Sequence, residues 1–211
     1  MSDRRLAILI SGRGSNMLAL LDAIEAGQMP ATPVLVLSND PTAPGLAAAA
    51  ARGVPTAAVD HRAFRGDRAA FDAAVDGALQ EAGAEIVACA GFMRIMTERL
   101  IEPWAGRMVN IHPSLLPAFR GLDTHARALA AGCAFHGCTV HEVTLDLDAG
   151  RILGQAAIRV RPEDTPDSLA ARLLPLEHRL YPAVLARFIA DPAGARRHPL
   201  AMEALDHDLD G

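Results

Sequence analysis

The segment Ser11-Gly12-Arg13-Gly14-Ser15-Asn16 joins an apolar run to a helical one. Its glycines let the backbone approach an anion, and the free amides and positive dipole end of the helix point toward that anion. A dinucleotide fingerprint needs a third glycine where Met17 stands, and a P-loop needs a lysine that does not follow. The spacing therefore points to a pocket for one phosphate, held mainly by the amides of Gly14, Ser15 and Asn16. The same residues also read as a tight turn with Ser15 as an ordinary N-cap. A second constellation is Asn110-Ile111-His112. Two residues apart on an extended segment, Asn110 and His112 leave on the same side. One offers an uncharged amide donor and the other holds or releases a proton near neutral pH. Together they suit a carbonyl turning into a tetrahedral oxyanion. Asp146 and Asp148 lie in a turn ending in Gly150, after a strand-like run bearing Thr139 and His141. A carboxylate from that turn, placed beside His112, would favour the protonated imidazole. Asp before such a turn is also common turn chemistry, and spacing alone does not bring Asp148 to His112.

His112, His125, Cys133, His136, Cys138 and His141 are the residues a metal could use. They form no Cys-x-x-Cys, no His pair one turn apart on a helix and no structural-zinc spacing. The expectation is no metal, with the cysteines and buried histidine filling core space.

These groups need a scaffold. Leu6 to Ser11, Pro33 to Ser38, Thr56 to Val59, Glu85 to Ala90 and Met108 to Ile111 are short apolar runs without alternation, as in strands buried on both faces of a parallel sheet. Helical stretches separate them at about Ser15 to Ala26, Leu46 to Arg52 and Asp67 to Ala82. The pattern is a doubly wound α/β fold, with a mostly parallel central sheet and helices on both faces. His112 to Thr124, with Pro113, Pro117 and Gly121, reads as an ordered loop. His136 to Val143 and Ile152 to Val160 then read as an antiparallel C-terminal strand pair, and Thr165-Pro166 as N-cap and first residue of a long helix to about Ala190. No internal repeat or domain linker stands out, so residues 1–190 are expected as one catalytic domain and 191–211 as a surface tail.

Composition narrows the function. The chain has 211 residues, 51% hydrophobic and 21% charged, with a formal net charge of −5. That is enough to bury a large core and argues against disorder and general nucleic-acid binding. No apolar run reaches the roughly 18 residues of a membrane span, and the first run is too short for a signal-peptide core. All 20 basic residues are arginine, which excludes Schiff-base chemistry on a lysine. Three cysteines, an odd number, argue against a disulfide framework. A cytoplasmic location is expected.

Taken together, several motifs resemble the phosphoribosylglycinamide formyltransferases, the folate-dependent glycinamide ribonucleotide transformylases of purine synthesis. They are Ile10-Ser11-Gly12-Arg13-Gly14-Ser15-Asn16, Ala90-Gly91-Phe92-Met93-Arg94-Ile95-Met96, Asn110-Ile111-His112-Pro113-Ser114-Leu115-Leu116-Pro117, His136-Gly137-Cys138-Thr139-Val140-His141, Asp148-Ala149-Gly150 and Glu177-His178. The resemblance runs from Leu6 to about Ile189. It implies the formyltransferase fold and transfer of the formyl group of 10-formyltetrahydrofolate to the amine of glycinamide ribonucleotide, without a metal. It further implies Asn110, His112 and Asp148 as the catalytic trio, supported by Thr139 and His141. Gly14, Ser15 and Asn16 would hold the substrate phosphate and Glu177 the ribose. Arg68 and the segment Met93, Arg94, Ile95 and Met96 would contact the folate, with the loop Thr144, Leu145, Asp146, Leu147 and Asp148 closing over its pterin. Asn110 and protonated His112 would stabilise the oxyanion, while His112 or a water held by Asp148 carries the proton from amine to folate nitrogen. The partners implied are these two small molecules, with no nucleic acid or membrane, for a monomer or homodimer. Thr139 stands where serine is common, Ala149 replaces the first glycine of an Asp-Gly-Gly turn, and Met96 stands where leucine is frequent.

Related families share the catalytic domain. Methionyl-tRNA formyltransferases add a C-terminal domain and formyltetrahydrofolate hydrolases an N-terminal one, and neither addition is expected here. A nicotinamide-dependent oxidoreductase, favoured by the Gly-x-Gly turn and Asp40, is opposed by Met17. A non-catalytic nucleotide sensor is the remaining rival.

Overall fold

The computed structural model describes residues 3–203. Its elements are β1 (Arg4–Ile10), α1 (Ser15–Glu25), β2 (Ala31–Ser38), α2 (Pro44–Ala50), β3 (Thr56–Ala58), α3 (Arg68–Glu81), β4 (Ile86–Cys89) and α4 (Glu98–Ile101). They continue with β5 (Met108–His112), α5 (Thr124–Ala130), β6 (Phe135–Glu142), β7 (Ile152–Arg159), α6 (Pro166–Ala190), α7 (Pro192–Arg197) and β8 (Leu200–Glu203). All eight strands join one sheet in the order β3-β2-β1-β4-β5-β6-β7-β8. Strands β1 to β5 run parallel, β6 is antiparallel to both its neighbours, and β8 pairs in parallel with β7.

The unbroken apolar runs follow from two buried faces. Leu6, Ile8 and Ile10 of β1 enter a core with Met17 and Leu20 of α1 and Leu173, Leu180 and Phe188 of α6. Ala7 and Leu9 turn the other way, toward Phe71, Val75 and Leu79 of α3 and Leu100 and Trp104. From Leu6 to Ile10, β1 thus spends every residue on one core or the other. Tyr181 of α6 is fully buried, and its hydroxyl is shared between the carbonyls of Cys89 in β4 and Val109 in β5, at 3.0 and 3.1 Å. Thr165 caps α6 in a capping box with Ser168, and Pro166 opens the helix.

Some elements differ from the sequence expectation. Helix α2 starts at Pro44, two residues before Leu46, because proline fits the first helical turn. The long loop after β5 ends in α5, a short helix whose first residue is Thr124. Beyond Ala190, where a surface tail was expected, α7 and β8 form and β8 extends the sheet edge. The remainder of that stretch, residues 204–211, lies outside the described residues.

The strand order reverses between β1 and β4. The carboxyl ends of parallel strands at such a reversal frame a crevice. Ser11 to Asn16 follow β1 there, and Ala90 and Gly91 follow β4.

Candidate active site

The turn after β1 holds an uncapped helix start. Gly14, at φ 72°, occupies the N-cap position of α1 with no side-chain capping bond, and Ser15 is the first helical residue rather than the cap. A Cβ on Gly14 would stand 2.9 Å from Met17 Cε, so only glycine meets both the left-handed backbone and the close packing. The Gly45 amide donates to Gly12 O at 3.0 Å and steadies the turn from α2. The first-turn amides therefore open into a hollow of about 270 Å³, lined by residues 11–16 with Ala90, Gly91 and Met93. Asn16 Nδ2 donates to Glu177 Oε2 at 2.7 Å, joining residues 161 apart in the chain. Asn16 Oδ1 is buried and unpartnered. Burial raises the Glu177 pKa, with the Asn16 hydrogen bond opposing it. Met17, fully buried where a dinucleotide fold keeps glycine, packs in the core behind the turn.

Strand register assembles the second group. In the β5–β6 pair Asn110 lies opposite His141 and His112 opposite Thr139. His141 Nδ1 bonds Glu142 O at 2.9 Å; a carbonyl only accepts, so Nδ1 carries the proton and Nε2 is left to accept from Asn110 Nδ2 at 3.2 Å. Burial pushes the His141 pKa below its ordinary value, which keeps the ring neutral despite Asp148 Oδ1 at 3.7 Å. His112 is 6% exposed. Its Nε2 donates to Phe119 O at 3.0 Å, and its Nδ1 faces Asp148 Oδ2 at 3.4 Å. Asp148 Oδ2 also accepts from the Gly121 amide at 2.8 Å. Asp148 has φ 49°, a left-handed backbone that Asp and Asn tolerate better than most residues and that turns the carboxylate inward.

Thr139 stands behind this group. Its hydroxyl donates to Ser114 O at 2.7 Å and accepts from the Leu116 amide at 3.1 Å and from Gln155 Nε2 at 3.0 Å. Thr124 Oγ1 donates to Pro113 O at 2.6 Å. The loop after His112, which contains a cis Leu116–Pro117 bond, is thereby held so that Phe119 O and the Gly121 amide reach the site.

A cleft of about 560 Å³ runs past Asn110, His112 and Asp148 and is also lined by Arg68, Met93, Arg94 and Ile95. A side hollow of about 100 Å³ adds Met96, Thr144 and Leu145 and shares Leu147 with the cleft. The cleft and the hollow at the start of α1 share Gly91 and Met93, so the two spaces adjoin. Asp146 lines neither cleft nor side hollow; its carbonyl accepts from Thr144 Oγ1 at 3.2 Å. A larger hollow, about 960 Å³ between α1 and α6, touches Ser15 but none of the Asn110–His112–Asp148 group.

Several further residues hold the edges of the site in place. Ser11 Oγ accepts from the Met93 amide at 2.7 Å and donates to Asn39 Oδ1, tying the ends of β1, β2 and β4 together. Asp72, fully buried in α3, accepts from the amide and hydroxyl of Thr97 at 2.6 and 2.7 Å and anchors the far end of segment 93–96. Polar residues just past the ends of parallel strands are the pattern that could have flagged Ser11 and Asn39. His125 and His136 bond each other at 3.0 Å, and burial lowers His136 to about 4. Among the described residues no three His, Cys, Asp or Glu come together as a metal site. Cys89 is fully buried and its thiol is pushed up to about 12.

An amide and an imidazole backed by a carboxylate are suited to chemistry at a carbonyl, and the open first turn of a helix beside them is suited to an anion. Fold and site thus define a doubly wound α/β protein with a cleft at the switch point of its sheet. Comparison with known proteins narrows the class. Residues 4–185 match the family model for formyl transferase. The phosphoribosylglycinamide formyltransferase of Escherichia coli (strain K12) is 39% identical over 87% of this chain and 86% of its own length. The trifunctional purine biosynthetic protein adenosine-3 of Bos taurus is 44% identical over 86% of this chain, which spans only 18% of that longer protein. A crystal structure of phosphoribosylglycinamide formyltransferase from Brucella melitensis superimposes with a TM-score of 0.84 at 48% identity, covering 89% of this chain and 96% of that one. The chain belongs to the formyl transferase family.

Proposed function

We propose that this protein transfers the formyl group of 10-formyltetrahydrofolate to the primary amine of glycinamide ribonucleotide in purine synthesis. The observation that carries the reading is the meeting of Asn110, His112 and Asp148 in a cleft adjoining the α1 anion hollow, with the His112 ring 3.4 Å from the Asp148 carboxylate. The amides of Gly14, Ser15 and Asn16 hold the phosphate. The buried, unpartnered Asn16 Oδ1 and the Glu177 carboxylate beside it are acceptors suited to ribose hydroxyls. The exposed side chains of Met93, Ile95, Leu145 and Leu147 offer apolar surface to the planar folate rings, and Arg68 and Arg94 offer charge to its carboxylates.

In the reaction the neutral amine attacks the formyl carbon, forming a C–N bond while the carbonyl becomes an oxyanion. Asn110 is oriented by His141 through one amide hydrogen and turns the other to that oxygen. His112 Nε2 moves its proton from Phe119 O to the same oxygen, with Asp148 holding Nδ1. Collapse breaks the bond to the folate nitrogen. The amine loses one proton and the departing nitrogen gains one, through His112 or a water held by Asp148. Thr139 and His141 act as supports. No metal takes part in this scheme, and the loop of Thr144, Leu145, Asp146, Leu147 and Asp148 closes over the pterin.

Both substrates are small molecules, and the protein works as a monomer or homodimer in the cytoplasm without nucleic acid. No described helix is long and apolar enough to cross a membrane. A spectrophotometric assay with 10-formyl-folate and glycinamide ribonucleotide tests the reaction. Formylated product with release of the deformylated folate is expected; no turnover, or equal turnover without the nucleotide, would reject it.

A further inference from the structure

The anion hollow is short of positive charge. Its floor, the uncapped first turn of α1, supplies roughly half a unit. Against it stand the buried Glu177 carboxylate, one hydrogen bond away through Asn16, and the two negative charges of a phosphate monoester. Burial already disfavours the charged form of Glu177, and a dianion brought close adds to that cost. The chain has no lysine to offset it. Among the residues lining the hollow, Arg13 is the one cation. It sits between Gly12 and Gly14, is exposed, and has no hydrogen bond or ion pair among the described residues.

We infer that Arg13 is the counter-charge of the phosphate subsite, its guanidinium closing over the hollow onto the phosphate oxygens that the amides of Gly14, Ser15 and Asn16 leave facing outward. A planar guanidinium matches two such oxygens at once. The amides set where the phosphate sits, and Arg13 makes the enzyme discriminate between a phosphorylated acceptor and its phosphate-free counterpart. The identity of that acceptor rests on the function proposed above; the anion subsite itself rests on the hollow.

The test compares Arg13→Ala and Arg13→Lys with the unaltered protein on glycinamide ribonucleotide and on the corresponding phosphate-free riboside. With the nucleotide, Arg13→Ala should lower kcat/KM about ten- to a hundredfold, through KM with kcat nearly unchanged. With the riboside the change should stay below about twofold, and Arg13→Lys should recover part of the loss because it keeps the charge without the fork. An equal loss on both acceptors, or none on the nucleotide, would overturn the inference. Calorimetric titration with ribose 5-phosphate separates this outcome from failure of the proposed reaction. Binding that weakens about tenfold or more in Arg13→Ala supports the phosphate role even if glycinamide ribonucleotide is not turned over. Binding unchanged in the variant, or absent from the unaltered protein, overturns it.

Discussion

Asp148→Asn isolates the charge of the site. The Gly121 amide that Asp148 Oδ2 accepts at 2.8 Å keeps an acceptor in the variant, and Asn tolerates the left-handed backbone at φ 49° as well as Asp does. The loop should therefore keep its shape while the negative charge 3.4 Å from His112 Nδ1 disappears. At that separation, with an effective dielectric near 20, the attraction for an imidazolium is about 5 kcal/mol. Desolvation of a carboxylate that is 9% exposed offsets part of it. A net loss of about 3 to 4 kcal/mol remains for a transition state that needs a positive His112, or about two to three orders of magnitude in rate. Steady-state kinetics should show kcat lowered by about that factor, with both KM values within about threefold of the original. The melting temperature should move by no more than a few degrees. A variant that keeps kcat within about threefold, in a protein that still melts cooperatively, would show that the carboxylate charge plays no part in the chemical step.

Gly14→Ala forces a Cβ to 2.9 Å from Met17 Cε at φ 72°; it should destabilise the protein by about 1–2 kcal/mol and raise the KM for the nucleotide more than that for folate, measured by thermal melting and kinetics. Ser11→Ala leaves the Met93 amide and Asn39 Oδ1 without their partner, so Met93 amide hydrogen exchange should speed up and the folate KM rise about fivefold. His136 carries a pH prediction, since burial, with His125 nearby, holds its folded pKa at about 4. The unfolded chain takes up a proton near pH 6.5, before the folded one does. Stability is therefore full above about 6.5 and falls as the pH drops toward 4, by up to about 3 kcal/mol, and denaturant titrations of His136→Asn should show a shallower decline.

The scaffold was legible where one physical cause acts locally. Leu6 to Ser11 and Pro33 to Ser38 read as buried strands because both sheet faces are covered, and Thr165-Pro166 announces α6 through its capping chemistry. Leu200 to Glu203 did not read as a strand, because only pairing with β7 makes it one. In the site, the amides after Gly12 and the Asn110/His112 pair follow from local geometry. The facing of Asn110 by His141, the reach of Asp148 to His112 and the Asn16–Glu177 bond depend on register and on contacts between distant segments. The resemblance supplied Glu177 and the folate segment, and the structure places Arg68, Met93, Arg94 and Ile95 along the cleft with Met96 in its side hollow. Asp146 lines neither space, and its carbonyl accepts from Thr144 Oγ1 within the same loop. Ser15 does not cap α1, because Gly14 takes the left-handed N-cap position and leaves the amides open.

Everything rests on two substrates meeting between the α1 amides and the Asn110–His112–Asp148 group. The most direct measurement is a crystal structure with glycinamide ribonucleotide and a non-transferring folate analogue bound together. The phosphate should lie on the amides of Gly14, Ser15 and Asn16, and the amine should stand about 3.5 Å from the analogue's one-carbon position, beside Asn110 and His112. A phosphate bound elsewhere, or an amine held well away from His112 with both ligands fully occupied, would contradict the account.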